Sequence, residues 1–508
     1  MMPPLLLTLL LAQSPPAEAA KPADTKAADA KPTEAKSPDK EEPPVVTHHE
    51  IHVGGKTLKY TATTGMMPIR NAKGETEAHI FFMAYTLDGA GDNSHRPLMF
   101  SFNGGPGSAS VWLHLGAIGP KRVVMLPDGR MPAPPFHLVD NEYTWLDQTD
   151  LVFIDPVGTG YSRAEKPELN KKFWGLRGDI ESVGEFIRMY LTRNERWTSP
   201  LFLVGESYGT TRAAGLSGYL IERGMAFNGI VLVSSILNFE TASFVKGNDL
   251  PYILYLPSYA ATAWYHHKLS PDLQADLSKT LKEVEAWSAT DYAAALQKGD
   301  RLTGAERQAV IDRLSRYTGL EKGFIDDSNL RVPIFAFTKE LLRDEKRTVG
   351  RIDSRFKGID LSAATATPEY DPSIAAIRPP YTTTFNNYVR ADLGYKTDLE
   401  YYILGEGLTE PWDWGRREGF PDTADDLRQA FAKNPYMKLF VASGFFDLAT
   451  PYFATQYTLS HMGLDPSLRR NIETGEYMAG HMVYLDTSQL EKLKRDVSAF
   501  ITGALNAQ

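Results

Sequence analysis

The chain predicts an α/β fold, with a mostly parallel central sheet flanked by helices and interrupted by an inserted helical cap. Three observations carry this reading. Four apolar runs, "RPLMFSFNGG", "DLVFIDPVGTG", "PLFLVGES" and "GIVLVSSIL", each end in glycine or a small polar residue and read as strands buried on both faces. Amphipathic stretches such as "GDIESVGEFIRMYLTRN" lie between them, and strand–helix alternation implies parallel strands with helices on both faces. Near Phe239 the rhythm breaks: residues 241–395 are helical and aromatic, with no run that reads as a buried parallel strand. The strand pattern returns at "YMKLFVASGFFD" and "NIETGEYMAGHMVYL". The chain therefore reads as one sheet built in two parts, 46–240 and 396–508, around a cap at 241–395.

Ahead of the parallel strands, the stretch from "THHEIHVGGKTLKYTATTGMMPI" to "HIFFMAYTLDG" has period two around Gly54–Gly55, which predicts antiparallel strands. His48, His49 and His52 belong to this alternation. No second ligand cluster accompanies them, so they read as surface residues of an edge strand and not as a metal site. No metal or phosphate-binding motif occurs elsewhere, and no cofactor is expected.

At 508 residues with 43% hydrophobic content the chain can bury a large core. A net charge of −9 without a long basic run argues against nucleic acid as a partner. The sequence holds no cysteine, which excludes disulfides, thiolate metal sites and a cysteine nucleophile. At the N-terminus, Leu5 to Ala12 is an apolar run followed by Ala17, Ala19 and Ala20, and residues 1–20 read as an export signal despite the missing basic residue ahead of the run. The expected location is periplasmic or secreted. Residues 21–45 place lysines at 21, 26, 31 and 36 among alanine, proline and acidic residues, a five-residue period that fits neither helix nor strand. They read as a solvated linker. No later segment reaches the ~18 uninterrupted apolar residues of a spanning helix.

The chemistry centres on "LFLVGESYGTTRAAG". Gly205-Glu206-Ser207-Tyr208-Gly209 fits Gly-x-Ser-x-Gly between a strand and a helix, the setting in which the serine of an α/β-hydrolase is held on a sharp turn. A serine hydroxyl needs a base, and the base an orienting acid. In this fold the chain order is serine, acid, histidine. Four histidines follow Ser207: His266 and His267 fall in the cap, His461 ends a helix, and His481 follows a strand and a glycine in "YMAGHMVY". His481 is the expected base. Asp447, at the end of the strand in "LFVASGFFDLATP", is the expected acid, although an aspartate there could also cap a helix starting near Thr450. Asp422, Asp425, Asp426 and Asp465 sit in loop or helix-start contexts and read as structural. The oxyanion hole is assigned to the N–H of Tyr208 and to "FNGGPGSAS", through Gly105, with Asn103 pointing into the same site.

Taken in order, "NGGPGSAS", "DPVGTGYS", "GESYGT", "SGFFDLATP" and "AGHMVY" resemble the signature blocks of the serine carboxypeptidase family, in the looser wording of its bacterial branch. The resemblance runs from Asn103 to Tyr484. It implies removal of single amino acids from the C-terminus of a peptide, with Ser207, Asp447 and His481 as the triad. It also implies that Asn103, Gly104 and Glu206 bind the terminal carboxylate of the substrate. Glu206 would have to be protonated to donate to an anion, so its pKa should be raised. Two positions depart from the family pattern. Ala117 stands in "AIGP" where the family has the glutamate of Glu-Leu-Gly-Pro, and Ser108 stands for the cysteine of the glycine-rich block. An esterase or acyltransferase could use the same triad, and a non-catalytic binding protein the same scaffold. Asn103 and Glu206 speak against the esterase, and the intact triad against the scaffold.

Overall fold

A computed structural model describes residues 41–92, 94–415 and 419–506. The export-signal reading of 1–20 and the linker reading of 21–40 lie outside the described residues. The first strand already begins at Val45, inside the C-terminal end of the span read as linker.

Nine strands form the main sheet in chain order: β1 (Val45–Val53), β2 (Lys56–Arg70), β3 (Thr76–Leu87), β4 (Leu98–Phe102), β5 (Asp150–Ile154), β6 (Leu201–Glu206), β7 (Gly229–Val233), β8 (Lys438–Gly444) and β9 (Ile472–Tyr477). A two-residue strand, Arg163–Ala164, adds to β3. Their spatial order is β1-β2-β3-β5-β4-β6-β7-β8-β9. The first three pair antiparallel and β3 meets β5 antiparallel, whereas every pair from β5 to β9 is parallel. Gly54 and Gly55, both at positive φ, make the tight turn between β1 and β2. β1 is the edge strand, and its alternating exposure leaves His48 and His52 exposed. Among the described residues no group of three or more His, Asp or Glu could hold a metal ion.

The parallel strands β4, β5, β6 and β7 are buried at every residue, because helices cover both faces of the sheet. Successive side chains divide between two cores, as strand period dictates. Phe202, Val204, Val231, Val233 and Phe440 enter one core, and the C-terminal helix α6 (Thr487–Leu505) closes it with Leu490, Leu493, Val497 and Phe500. Leu203, Ile230, Leu232, Leu439 and Val441 enter the other. There α1 (Leu176–Arg193) and α2 (Tyr208–Ile221) cover the sheet with Val183, Phe186, Ile187, Ala213, Leu216 and Leu220.

Between β7 and β8 the named elements of the described residues are helices, apart from a short antiparallel ribbon, Arg347–Val349 with Lys357–Ile359, and loops join them. Helix α3 (Leu250–Tyr265) and the helices Leu277–Trp287 and Gly304–Thr318 build a third core, containing Tyr259, Leu281, Val284, Leu314 and Phe337. The end of this span packs elsewhere. Helix α4 (Pro372–Ala391) sends Ile377, Tyr381, Phe385 and Tyr388 into the core of the sheet. Among the described residues no helix is long and apolar enough to cross a membrane.

Candidate active site

β6 ends at Glu206 and α2 starts at Tyr208, so Ser207 alone makes the turn, at φ 60° and ψ −131°. Positive φ is disfavoured for any residue with a side chain, so the surroundings must hold it there. The close passage of three backbone segments does so. A Cβ on Gly205 would stand 2.2 Å from the Gly209 carbonyl oxygen, one on Gly104 2.4 Å from the Tyr208 nitrogen, and one on Gly209 2.9 Å from the Phe102 carbonyl oxygen. Ser207 N–H donates to the Val233 carbonyl at 3.0 Å. The Ser207 carbonyl accepts from the N–H and the hydroxyl of Thr210, at 2.8 and 2.7 Å. The glycines of the motif thus permit the turn, and β7 and Thr210 pin it.

His481 follows β9 and lies 4% exposed. Its Nδ1 is 2.8 Å from Asp447 Oδ2. Acceptance by the carboxylate fixes the ring proton on Nδ1 and leaves Nε2 as the basic nitrogen. Asp447 is fully buried and saturated with donors: the N–H groups of Ala449 and Thr450 reach Oδ1 at 2.7 and 3.0 Å, and the Thr450 hydroxyl reaches Oδ2 at 2.7 Å. The following helix α5 (Tyr452–His461) has Pro451 at its N-cap, so Asp447 organises the turn before the helix and does not cap it. His481 is held from behind as well, its N–H donating to Ile352 O at 2.7 Å and its carbonyl accepting the Ser234 hydroxyl. Burial pulls the imidazole pKa down, but the charge and hydrogen bond of Asp447 outweigh it and the pKa rises above 6.5. No hydrogen bond joins Ser207 Oγ to the imidazole among the described residues. Both groups line one cavity of about 310 Å³.

Asn103, Gly104, Gly105 and Glu206 line the same cavity. Asn103 is 1% exposed; its Nδ2 donates to Glu206 Oε1 at 2.9 Å and its Oδ1 accepts Leu113 N–H at 3.0 Å. Its carbonyl accepts the Arg212 guanidinium at 2.7 Å, and Arg212 is itself paired with the buried Asp179. Glu206 is 4% exposed, and burial pushes its pKa up to about 7. His481, Tyr484 and Asn103 pull the other way, and the charge of Asp447 adds to the rise. Glu206 Oε2 and the Tyr484 hydroxyl are both buried without a well-aligned hydrogen bond, although the hydroxyl is near enough to draw the Glu206 pKa down. A carboxyl group that is still about half protonated near pH 7, next to a serine and an imidazole, can donate a hydrogen bond to an anion in its neutral form. Tyr208 N–H opens the first turn of α2, where helix N–H groups lack an intrahelical acceptor, and Gly105, at φ 102°, lines the cavity.

The sequence profile of the family described as serine carboxypeptidase matches residues 54–481. The chain belongs to the serine carboxypeptidase family. Serine carboxypeptidase-like 13 of Arabidopsis thaliana is 25% identical over 173 residues, covering 32% of this chain and 38% of the relative. Pheromone-processing carboxypeptidase KEX1 of Saccharomyces cerevisiae is 32% identical over 158 residues, 28% of this chain and 20% of the relative. The matched stretches thus span well under two thirds of these relatives' lengths. Among solved structures, that of the Saccharomyces cerevisiae prohormone-processing carboxypeptidase Kex1(delta)p superposes at a TM-score of 0.52 with 17% identity, covering 87% of this chain and 91% of that one. That likeness shows an α/β-hydrolase fold.

Set beside the family's blocks, the two departures are accommodated locally. The Ala117 carbonyl accepts Asn141 Nδ2 at 2.9 Å, and Ser108 Oγ accepts Trp112 Nε1 at 2.8 Å. Asp155 of "DPVGTGYS" lies beside the glycine-rich loop, where its Oδ1 accepts the N–H and hydroxyl of Ser110 at 2.8 and 2.7 Å. Burial raises its pKa to about 6. His461 is exposed and stacks on Tyr457, and Asp465 accepts Ser467 N–H at 2.9 Å. Sequence reasoning missed Thr450, Ser234, Tyr484 and Arg351. Thr450 and Tyr484 lie three residues from Asp447 and His481, inside quoted motifs; Ser234 follows β7 at φ 52°. For Arg351 no sequence signal exists.

Proposed function

We propose that the chain is a serine-type carboxypeptidase that releases C-terminal amino acids from peptides through an acyl-enzyme. The observation that carries this reading is the buried Asn103–Glu206 pair beside Ser207, with Glu206 raised to about 7. Ester hydrolysis has no use for a neutral acid aimed at an anion. A terminal carboxylate does, taking hydrogen bonds from Asn103 Nδ2, protonated Glu206 and the Gly104 N–H.

In the proposed reaction Ser207 Oγ attacks the last peptide carbonyl while His481 Nε2 takes its proton. Asp447 and Thr450 hold the ring, and Asp447 stabilises the imidazolium that forms. The developing oxyanion is received by the N–H groups of Gly105 and Tyr208. His481 returns the proton to the leaving amine, the amino acid departs, and water attacks the acyl-enzyme by the same route in reverse. Ala117, in place of the family's glutamate, brings no second carboxyl group to the network around Glu206, the one observation that favours a weaker carboxylate site and a share of esterase activity. We also propose that the apolar N-terminal run directs export to the periplasm or beyond; N-terminal sequencing of the mature protein tests it.

The test of function is hydrolysis of a blocked dipeptide with a free C-terminus against its amide and a simple ester, with wild type and Ser207→Ala. Ser207-dependent preference for the free acid supports the reading. Equal rates on all three would replace it with an esterase.

A further inference from the structure

The cavity beside Ser207 and His481 contains a charge that the proposed chemistry does not use. Trp112, Phe335, Ile374, Ile377 and Met482 make its walls largely apolar, and Arg351 stands among them. Arg351 is half-buried, and among the described residues no carboxylate comes within ion-pair distance of its guanidinium. The acids that share the cavity are engaged elsewhere. Glu206 is bonded to Asn103. Asp371 accepts the N–H groups of Arg351, Ile352 and Ser373 at 3.1, 3.4 and 2.9 Å, together with the Ser373 hydroxyl. A guanidinium that lines an apolar cavity without a carboxylate partner is free to take one from a ligand.

Arg351 is also held firmly. Its carbonyl accepts Leu448 N–H at 3.1 Å, the Ile352 carbonyl accepts His481 N–H at 2.7 Å, and Ser354 N–H donates to Phe446 O at 3.0 Å. The loop that bears Arg351 is thus tied to the two segments that carry Asp447 and His481. Asn103, Gly104 and Glu206, which the carboxypeptidase reading assigns to the α-carboxylate of the released residue, line the same cavity. With the α-carboxylate held there and the scissile carbonyl at Ser207, the side chain of the released residue enters the same cavity, which Arg351 lines.

We propose that Arg351 makes this cavity a subsite for an acidic side chain, so that the enzyme selects C-terminal glutamate or aspartate. The proposal rests on the carboxypeptidase reading and deepens it. The apolar walls accept the methylenes, and the guanidinium fork accepts the side-chain carboxylate bidentately. Arg351 thereby sets specificity; it moves no proton.

The experiment compares kcat/KM for two blocked dipeptides that end in glutamate or glutamine, with the same acyl residue, using wild type and Arg351→Met. The two substrates match in shape and differ in charge, and their ratio is untouched by any loss of folded enzyme. Wild type is expected to favour glutamate by roughly 10- to 100-fold, the range of a hydrogen bond to a charged group. In Arg351→Met the ratio should fall to about 1. A wild-type ratio near 1, or a ratio unchanged in the variant, overturns the proposal. If both substrates lose rate equally, Arg351 serves the α-carboxylate or the loop, and the side-chain subsite is likewise overturned. Failure of the carboxypeptidase reading looks different: the dipeptides and their amides would then be hydrolysed alike, or not at all by a Ser207-dependent route.

Discussion

Replacing Glu206 by glutamine separates its two properties, donating a hydrogen bond and titrating. With a pKa of about 7, Glu206 is about nine-tenths protonated at pH 6 and about one-tenth at pH 8. If only the protonated form holds the substrate carboxylate, kcat/KM on a free-acid dipeptide falls about tenfold between those pH values from this group alone. The sign follows from the raised pKa: binding is fully available below it and lost as pH rises through it. Ionised Glu206 also raises the pKa of His481, which moves the acid limb toward higher pH and narrows the optimum. Glutamine donates at every pH, so Glu206→Gln should flatten the alkaline limb while leaving the acid limb set by His481. A simple ester, which has no carboxylate to bind, should show the His481 limb in both enzymes. The assay is a pH series of kcat/KM from pH 5 to 9 on the two substrates. An alkaline limb that survives unchanged in Glu206→Gln refutes the reasoning, because another group would then be titrating.

Other substitutions test the supporting structure. Thr450→Val keeps the volume but removes the hydroxyl that reaches Asp447 and His481, and kcat should fall about tenfold with little change in KM, as steady-state kinetics would read. Asp447→Asn should lower kcat by roughly 10,000-fold by favouring the wrong imidazole tautomer, with the circular dichroism spectrum preserved. Gly205→Ala places a methyl 2.2 Å from the Gly209 carbonyl oxygen, and should cost at least about 2 kcal/mol in denaturant unfolding together with the loss of activity. Lys339→Met leaves the Asp360 carboxylate buried without its cation, both side chains being fully buried, and should destabilise the protein by about 3 kcal/mol in the same assay.

Much of this site was legible in the sequence because its residues sit where strand runs end. The buried runs of β4, β6 and β7 mark the carboxyl edge of the sheet, and Asn103, Ser207 and Ser234 follow them directly. Ser207 was readable from the two glycines around it, whose lack of Cβ is a steric requirement that sequence expresses directly. His481 followed from chain order and elimination. Thr450 was not readable, because a threonine after a turn has many local uses and only the meeting of β8 and β9 gives this one two neighbours from the proposed triad. Tyr484 and Glu206 approach each other across more than half of the chain. Arg351 lies in a segment with no period or motif, and its placement depends on backbone bonds to Leu448 and His481. Helix α4 shows the same limit in the fold. Its apolar period matches that of the other helices between β7 and β8, and only tertiary packing assigns it to the core of the sheet.

The central claim is that the Asn103–Glu206 pair turns a serine hydrolase into an exopeptidase. The most direct measurement incubates a peptide of ten or so residues with wild type or Ser207→Ala, beside the same peptide amidated at its C-terminus, and follows the products by mass spectrometry. The account predicts a ladder of single residues lost from the free C-terminus, absent with Ser207→Ala and strongly suppressed for the amide. Internal fragments, or equal trimming of acid and amide, would contradict it.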